Sequence, residues 1–226
     1  MTIKENVTAE AERLKRRTAR NLRNAHAKGL MQGILSMLKP GDIVFDCGAN
    51  VGDITMLLAQ TGAEVHAFEP DPYAYDKLST RFDGKANVFT YNAALGVQAG
   101  QTKLMRAVNF DQNPKGGSVK STVVSGGRNI NEDLSQGFDV ELISLTDRLI
   151  DMKKEGLEVA FLKMDIEGAE LEILEAMHAK KLFDTIRLTV AETHEHKFKA
   201  LRPRFKKLRK SISEVYPITK VNLDWI

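Results

Sequence analysis

Seven consecutive residues, Asp46-Cys47-Gly48-Ala49-Asn50-Val51-Gly52, carry the sharpest chemical signal in this chain. They join a short apolar run, residues 42–47 (DIVFDC), to a segment with helical spacing over residues 53–60. Gly48 can take the tight turn out of a strand, and Gly52 lets a ligand or the sheet approach the start of the next helix. The spacing is G-x-x-x-G. It is not the G-x-G-x-x-G of a dinucleotide site, and it lacks the Gly-Lys-Ser/Thr of a P-loop. An acid at Asp46 would repel a pyrophosphate from the helix N-terminus and better suits a cation such as an amino acid ammonium. Glu69 stands seventeen residues beyond Gly52, after the next apolar run. A carboxylate in that place can accept both hydroxyls of a ribose. Singly, the glycines fit an ordinary strand-to-helix turn and Glu69 fits the neighbourhood of a helix cap. Together they describe a cofactor site.

Such a site needs strands to hold it. Apolar runs suited to buried strands occur at residues 42–47, 64–68 (EVHAF), 87–95 (NVFTYNAAL), 159–164 (VAFLKM) and 185–191 (TIRLTVA). Helical segments separate them at residues 53–60, 73–82 and 168–180, and a basic helix is predicted over 197–213. Alternation of this kind predicts an α/β fold: a mostly parallel, twisted, Rossmann-like sheet with helices on both faces. Ligands of such sheets lie beyond the carboxyl ends of the strands. The residues there are 46–52, 69–71, 92–94, 165–168 and 192–196, and four of these five clusters contain carboxylates. Two further strands are expected at 101–108 and 138–145, and a last one at 218–225. Residues 111–137 are rich in Gly, Ser and Asn, and a loop this long is functional or disordered. Its place in the chain hangs it over the acceptor side of the site, and mobility without substrate is expected.

Before the first strand, residues 8–28 read as a helix with a thin apolar stripe (Leu14, Leu22, Ala25), and 30–38 as a second helix stopped by Pro40-Gly41. The chain is therefore divided into a helical appendage, 1–38, and a ligand-binding domain, 39–226. Its 226 residues suffice for a full core. One cysteine, Cys47, excludes an internal disulfide framework and points to a reducing, cytoplasmic setting. Cys47 reads as a small core residue in the strand exit, not a nucleophile. No apolar run reaches membrane-spanning length. The net charge of +3 is segregated. Residues 1–28 carry +5 and residues 196–226 carry +7, against −9 for the body. Clustered basic charge can attract RNA phosphate, but no aromatic stacking platforms interleave the N-terminal run, so solvated helix faces are the preferred reading and nucleic acid is not the expected partner.

FDCGANVG, HAFEPDP and LKMDIEGAELEIL, taken together, resemble the class I S-adenosylmethionine-dependent methyltransferases, and more narrowly the FkbM family. The resemblance covers about residues 42–194. It implies that Asp46 and the Gly48–Gly52 loop, Asn50 included, flank the methionine moiety. It likewise implies that Glu69 holds the ribose hydroxyls, that Asn92 and Ala93 edge the adenine, and that Asp165 lies near the sulfonium. The implied activity is O-methylation of a hydroxyl on a small molecule, sugar, polyketide or lipid, with S-adenosylmethionine as cofactor. A hydroxyl acceptor must lose its proton, which calls for a base or a metal. His194 is the best placed base, with Lys163 and Glu167 behind it. Asp165, Glu192 and His194 could offer a divalent ion two oxygens and a nitrogen, but their spacing is not diagnostic and a metal-free site is expected.

RNA methylation through the basic termini is an alternative, though no N/D-P-P-aromatic motif is present for base N-methylation. A nucleotide-binding interaction module without catalysis is a second alternative, opposed by the intact Asp46, Glu69, Asp165 and His194. Family sheets run to a sixth and seventh strand. Here only residues 218–225 remain to supply one, so an edge strand would stay open as a contact between two copies.

Overall fold

The computed structural model describes residues 3–225, with side-chain surroundings from Glu10 onward. The chain divides into two units, Met1–Met37 with Trp225–Ile226, and Leu38–Asp224. The first unit is built on one helix, α1 (Ile3–Met37), where the sequence suggested two. A mid-helix glycine costs only about 1 kcal/mol relative to alanine, and no proline interrupts the run, so Gly29 is carried through without a break. Every side chain from Glu10 to His26 is exposed, as the thin apolar stripe implies.

In the second unit the elements run β1 (Ile43–Cys47), α2 (Asp53–Ala59), β2 (Glu64–Phe68), α3 (Pro72–Phe82), β3 (Val88–Tyr91), β4 (Ala93–Gly96), β5 (Gly100–Leu104) and α4 (Pro114–Ser118). There follow β6 (Phe138–Ser144), α5 (Leu145–Lys154), β7 (Val159–Met164), α6 (Glu170–Ala179), β8 (Ile186–Ala191), α7 (Arg202–Ser213) and β9 (Val221–Asn222). Six strands form one parallel sheet in the order β3-β2-β1-β7-β8-β9, flanked by helices as expected of a Rossmann-like fold. All six side chains of β7 are buried. The near-continuous apolar runs of the central strands thus reflect a sheet covered on both faces. From β1 the chain winds outward to β2 and β3, and it later returns to β7 and winds the other way. The carboxyl ends of β1 and β7 are therefore the switch point, where the crevice of an open parallel sheet lies.

Three expected strands are corrected. Residues 87–95 do not form one strand. They bend at Asn92, so that β3 pairs with β2 in the main sheet while β4 pairs with β6 in a separate three-stranded sheet ordered β4-β6-β5. The Asn92 side-chain amide donates to Glu69 O at 2.9 Å and Pro70 O at 3.3 Å, which holds the bend. The predicted strand over 101–108 ends at Leu104, beyond which only isolated bridges, Met105 to Thr122 and Ala107 to Ile130, continue the pairing. At the far edge, the strand expected over 218–225 shrinks to the two residues of β9, parallel to β8.

Candidate active site

Gly48 leaves β1 with φ +82°, and a Cβ built on it would lie 1.8 Å from the carbonyl oxygen of Asp165. That contact is with backbone and cannot be relieved by a rotamer, so the two central strand exits touch only because position 48 is glycine. Gly52, also in a left-handed conformation, serves a different purpose. Its missing side chain makes room for Phe82 and Leu78 of α3, 2.5 and 2.8 Å from the built Cβ. It closes helix packing and does not face the pocket.

The pocket lies at the switch point and is open to solvent on one side. Of the residues singled out from sequence, Gly48, Asn50, Glu69, Ala93 and Asp165 line it, whereas Asp46, Gly52, Asn92 and His194 do not. Glu69 is 6% exposed. Its Oε2 accepts from the Asn50 amide and its Oε1 from the Asp71 amide, both at 2.8 Å. Burial pushes its carboxyl up to about 7 despite those two donors. Each oxygen keeps a further lone pair, so the carboxylate can still receive two hydroxyl donors from the pocket side.

Asp46 is fully buried beneath the pocket. The cation it suits is supplied by the chain itself: Oδ1 sits 3.0 Å from the Lys163 ammonium, while Oδ2 accepts from the Thr55 hydroxyl at 2.7 Å. Lys163 also donates to Gly48 O at 3.0 Å, tying β7 to the exit of β1. Burial disfavours its charge, but Asp46 and Asp165 outweigh it and hold the ammonium above its ordinary range. Cys47 is fully buried and burial pushes its thiol up, which leaves it inert.

Residues 111–137 do not hang free. Ser118, Val119, Ser121, Thr122 and Val123 form one wall of the pocket. The segment is tied to three strand ends: Asn50 donates to Ser118 Oγ at 3.3 Å, Ser121 to Asp71 at 2.8 Å, and Thr122 to Glu167 O at 2.7 Å. Asp71, fully buried, also takes a bidentate pair from Arg106 at 2.7 and 2.9 Å and caps α3 through Tyr73 N. Charge-assisted hydrogen bonds of this kind contribute about 1.5–3 kcal/mol each. Asp71→Asn is therefore expected to raise the rate of tryptic cleavage at Lys115, Lys120 and Arg128 by about tenfold or more. A cleavage rate equal to wild type would mean that the wall is held without Asp71.

Beyond Asp165 the chain turns through two left-handed residues, Glu167 (φ 56°) and Gly168 (φ 111°), before α6 begins. The turn aims Glu167 back at His194, and Lys197 pairs with the Glu167 carboxylate. His194 is 1% exposed. Its backbone N–H and its Nδ1 both lie 2.8 Å from Glu170 Oε1, and Glu170 Oε2 accepts from Gly168 N. Nε2 points to Asp165, Glu167 and Glu192 at 3.7, 3.5 and 3.7 Å. Burial works against the imidazolium, yet Glu170 and Glu167 more than offset it and push His194 up to about 9. In this arrangement the ring carries a proton throughout the neutral range, whereas a general base must be neutral to accept one. Burial raises both Glu167 and Glu192 above the ordinary carboxylate range, with Asp165 adding to each.

Sequence reasoning did not find the organising role of Glu170, although three acids at 165, 167 and 170 stood in view. Their spacing does not say which one turns inward. Arg106 and Asp71 had no local signal, because their pairing spans 35 residues.

The methyltransferase FkbM domain matches residues 46–215. Methyltransferase sdnD of Sordaria araneosa is 28% identical over 211 residues, covering 84% of this chain and 80% of that protein. The 31-O-demethyl-FK506 methyltransferase FkbM of Streptomyces tacrolimicus is 26% identical, with 70% and 67% covered. Hexuronic acid methyltransferase AglP of Haloferax volcanii is also 26% identical, with 84% and 71% covered.

Proposed function

The chain belongs to the FkbM methyltransferase family, and from that premise we propose that it uses S-adenosylmethionine to methylate a hydroxyl of a small molecule. The observation that carries this reading is Glu69, a buried carboxylate at the end of β2 whose remaining lone pairs face a pocket beside the glycine exit of β1. Such a carboxylate matches a ribose diol, and the apolar side of the pocket, with Phe68, Ala93, Ala94, Leu95 and Leu104, matches a purine face. When bound, S-adenosylmethionine supplies an electrophilic methyl group on a sulfonium. The chain's own part is to orient and to manage a proton. Gly48 and Asn50 shape the end of the pocket nearest β1, and Asp165 stands at its rim, 31% exposed. An acceptor hydroxyl beside Asp165 has carboxylates on hand to draw off its proton. The 31-O-demethyl-FK506 named for one relative supports this acceptor class, while the hexuronic acid named for another offers a carboxyl group beside its hydroxyls.

The test is calorimetric titration with S-adenosylmethionine across pH 6 to 8, with NAD as control. With its carboxyl raised to about 7, ligand-free Glu69 takes up a proton below that pH and must shed it to accept two hydroxyls. Affinity should then fall about tenfold per pH unit below 7. The same shift destabilises the ligand-free fold in the opposite sense: the group's contribution is intact below its ordinary value and is lost as pH rises through 7. Glu69→Gln should weaken binding and flatten its pH dependence. Binding by Glu69→Gln as tight as wild type would remove the cofactor reading.

A further inference from the structure

Next to the cofactor pocket, four side chains from the ends of two adjacent strands, β7 and β8, converge without making hydrogen bonds to one another. His194 Nε2 makes no hydrogen bond among the described residues, although the side chain is 2% exposed and the atom is aimed into the cluster. The carboxylates facing it, Asp165, Glu167 and Glu192, stand at 3.5–3.7 Å. Those separations are too long for hydrogen bonds and too regular for groups that only share a surface. Two ligand bonds of about 2.1 Å meeting at one ion place their atoms about 3.0–4.2 Å apart, depending on the angle. The offered atoms of Asp165, Glu167 and His194 all lie within 4.8 Å of one another. The other ring nitrogen is already engaged: buried Glu170 takes Nδ1 at 2.8 Å, the arrangement by which a carboxylate fixes the tautomer and orientation of a metal-binding histidine.

Where the sequence led to a metal-free expectation, the geometry points to a divalent cation site formed by His194 Nε2 with Asp165 and Glu167, with Glu192 facing the ring from the neighbouring strand end. One imidazole among carboxylates is a mostly hard, oxygen-rich donor set, which Mn²⁺ matches well. Lys197 pairs with Glu167 and is the cation that holds the cluster's charge in the ion-free protein. Its side chain is 24% exposed, so it can leave toward solvent. Asp165 belongs to both the cluster and the pocket rim, which brings the ion's charge to the edge of the acceptor space. There it would make a neighbouring hydroxyl more acidic, the Nε2 proton of His194 being released to solvent as the ion binds. This catalytic role rests on the methyltransferase reading above; the binding site itself does not.

The experiment is titration of chelator-treated full-length chain with Mn²⁺, followed by electron paramagnetic resonance of the free ion. The same samples are titrated separately with S-adenosylmethionine. One saturable Mn²⁺ per chain is expected. Glu167→Gln should weaken it by about tenfold or more, as loss of a charged ligand does. Glu175→Gln, on the surface of α6, should leave it unchanged. Lys197→Met should tighten it, a gain that a misfolded variant could not give. No saturable site at millimolar Mn²⁺, or an affinity indifferent to Glu167→Gln, overturns the proposal. Because Mn²⁺ and S-adenosylmethionine are read independently, a failed metal site leaves the cofactor assignment standing, and the reverse also holds.

Discussion

Lys163→Met is expected to lower the stability of the Leu38–Asp224 unit by about 3–5 kcal/mol. The lysine is 3% exposed near the carboxyl end of the most buried strand, and its ammonium is 3.0 Å from a fully buried Asp46. Removing it leaves the carboxylate charged with only the Thr55 hydroxyl for compensation. It also strips the donor from Gly48 O. At about 2–4 °C per kcal/mol for a domain of this size, the thermal midpoint should drop by about 10 °C. The double variant Asp46→Asn/Lys163→Met separates the causes. With no charge left to bury, it should recover most of the loss, because a buried pair replaced at both ends is often close to neutral. A double variant as unstable as the single one would show that Lys163 acts through packing alone.

Gly48→Ala should cost about 3 kcal/mol or more and abolish cofactor binding in whatever fraction stays folded. The backbone there is left-handed, which an alanine adopts at about 1–2 kcal/mol. The larger effect is steric. A methyl group 1.8 Å from Asp165 O must force the exits of β1 and β7 apart, and the pocket is built across that seam. Gly52→Ala provides the comparison. Its Cβ meets the side chains of Phe82 and Leu78, so it should lose stability through strain against α3 while keeping a cofactor affinity within a few-fold of wild type. Chemical denaturation and S-adenosylmethionine titration of both variants read the two effects. Gly48→Ala binding as tightly as wild type would mean that the seam does not shape the pocket.

Much of this site could be read before any fold was known, and the reason is topological. A parallel sheet brings every carboxyl end to one edge, so any polar residue that follows an apolar run is delivered to the same place. Gly48, Asn50, Glu69, Ala93 and Asp165 needed nothing beyond that rule to be found, and each lines the pocket. The elements followed from the same local information. The runs at β1, β2, β7 and β8 are mostly apolar because both faces are covered, and their ends agree with the expected bounds to within one residue.

Tertiary structure alone decided which partner each group takes. Asp46 suits a cation by its type and position, but Lys163, 117 positions later, becomes that cation only when β1 and β7 lie side by side. The bend at Asn92 was hidden because VFTY and AALG are equally good strand sequences. Only the competition between two sheets for their backbone separates them. The long segment after β5 looked loose by composition, yet Asp71, Asn50 and Glu167 give its hydroxyls buried or half-buried partners. Most telling is His194, whose residue type suggests a base near neutral pH. Its protonation in the ion-free protein is set by Glu170 on α6 and by Glu167 beyond β7, against the cost of burial. Residue type and order along the chain determine where polar groups arrive; the charge each carries there depends on distances that exist only after folding.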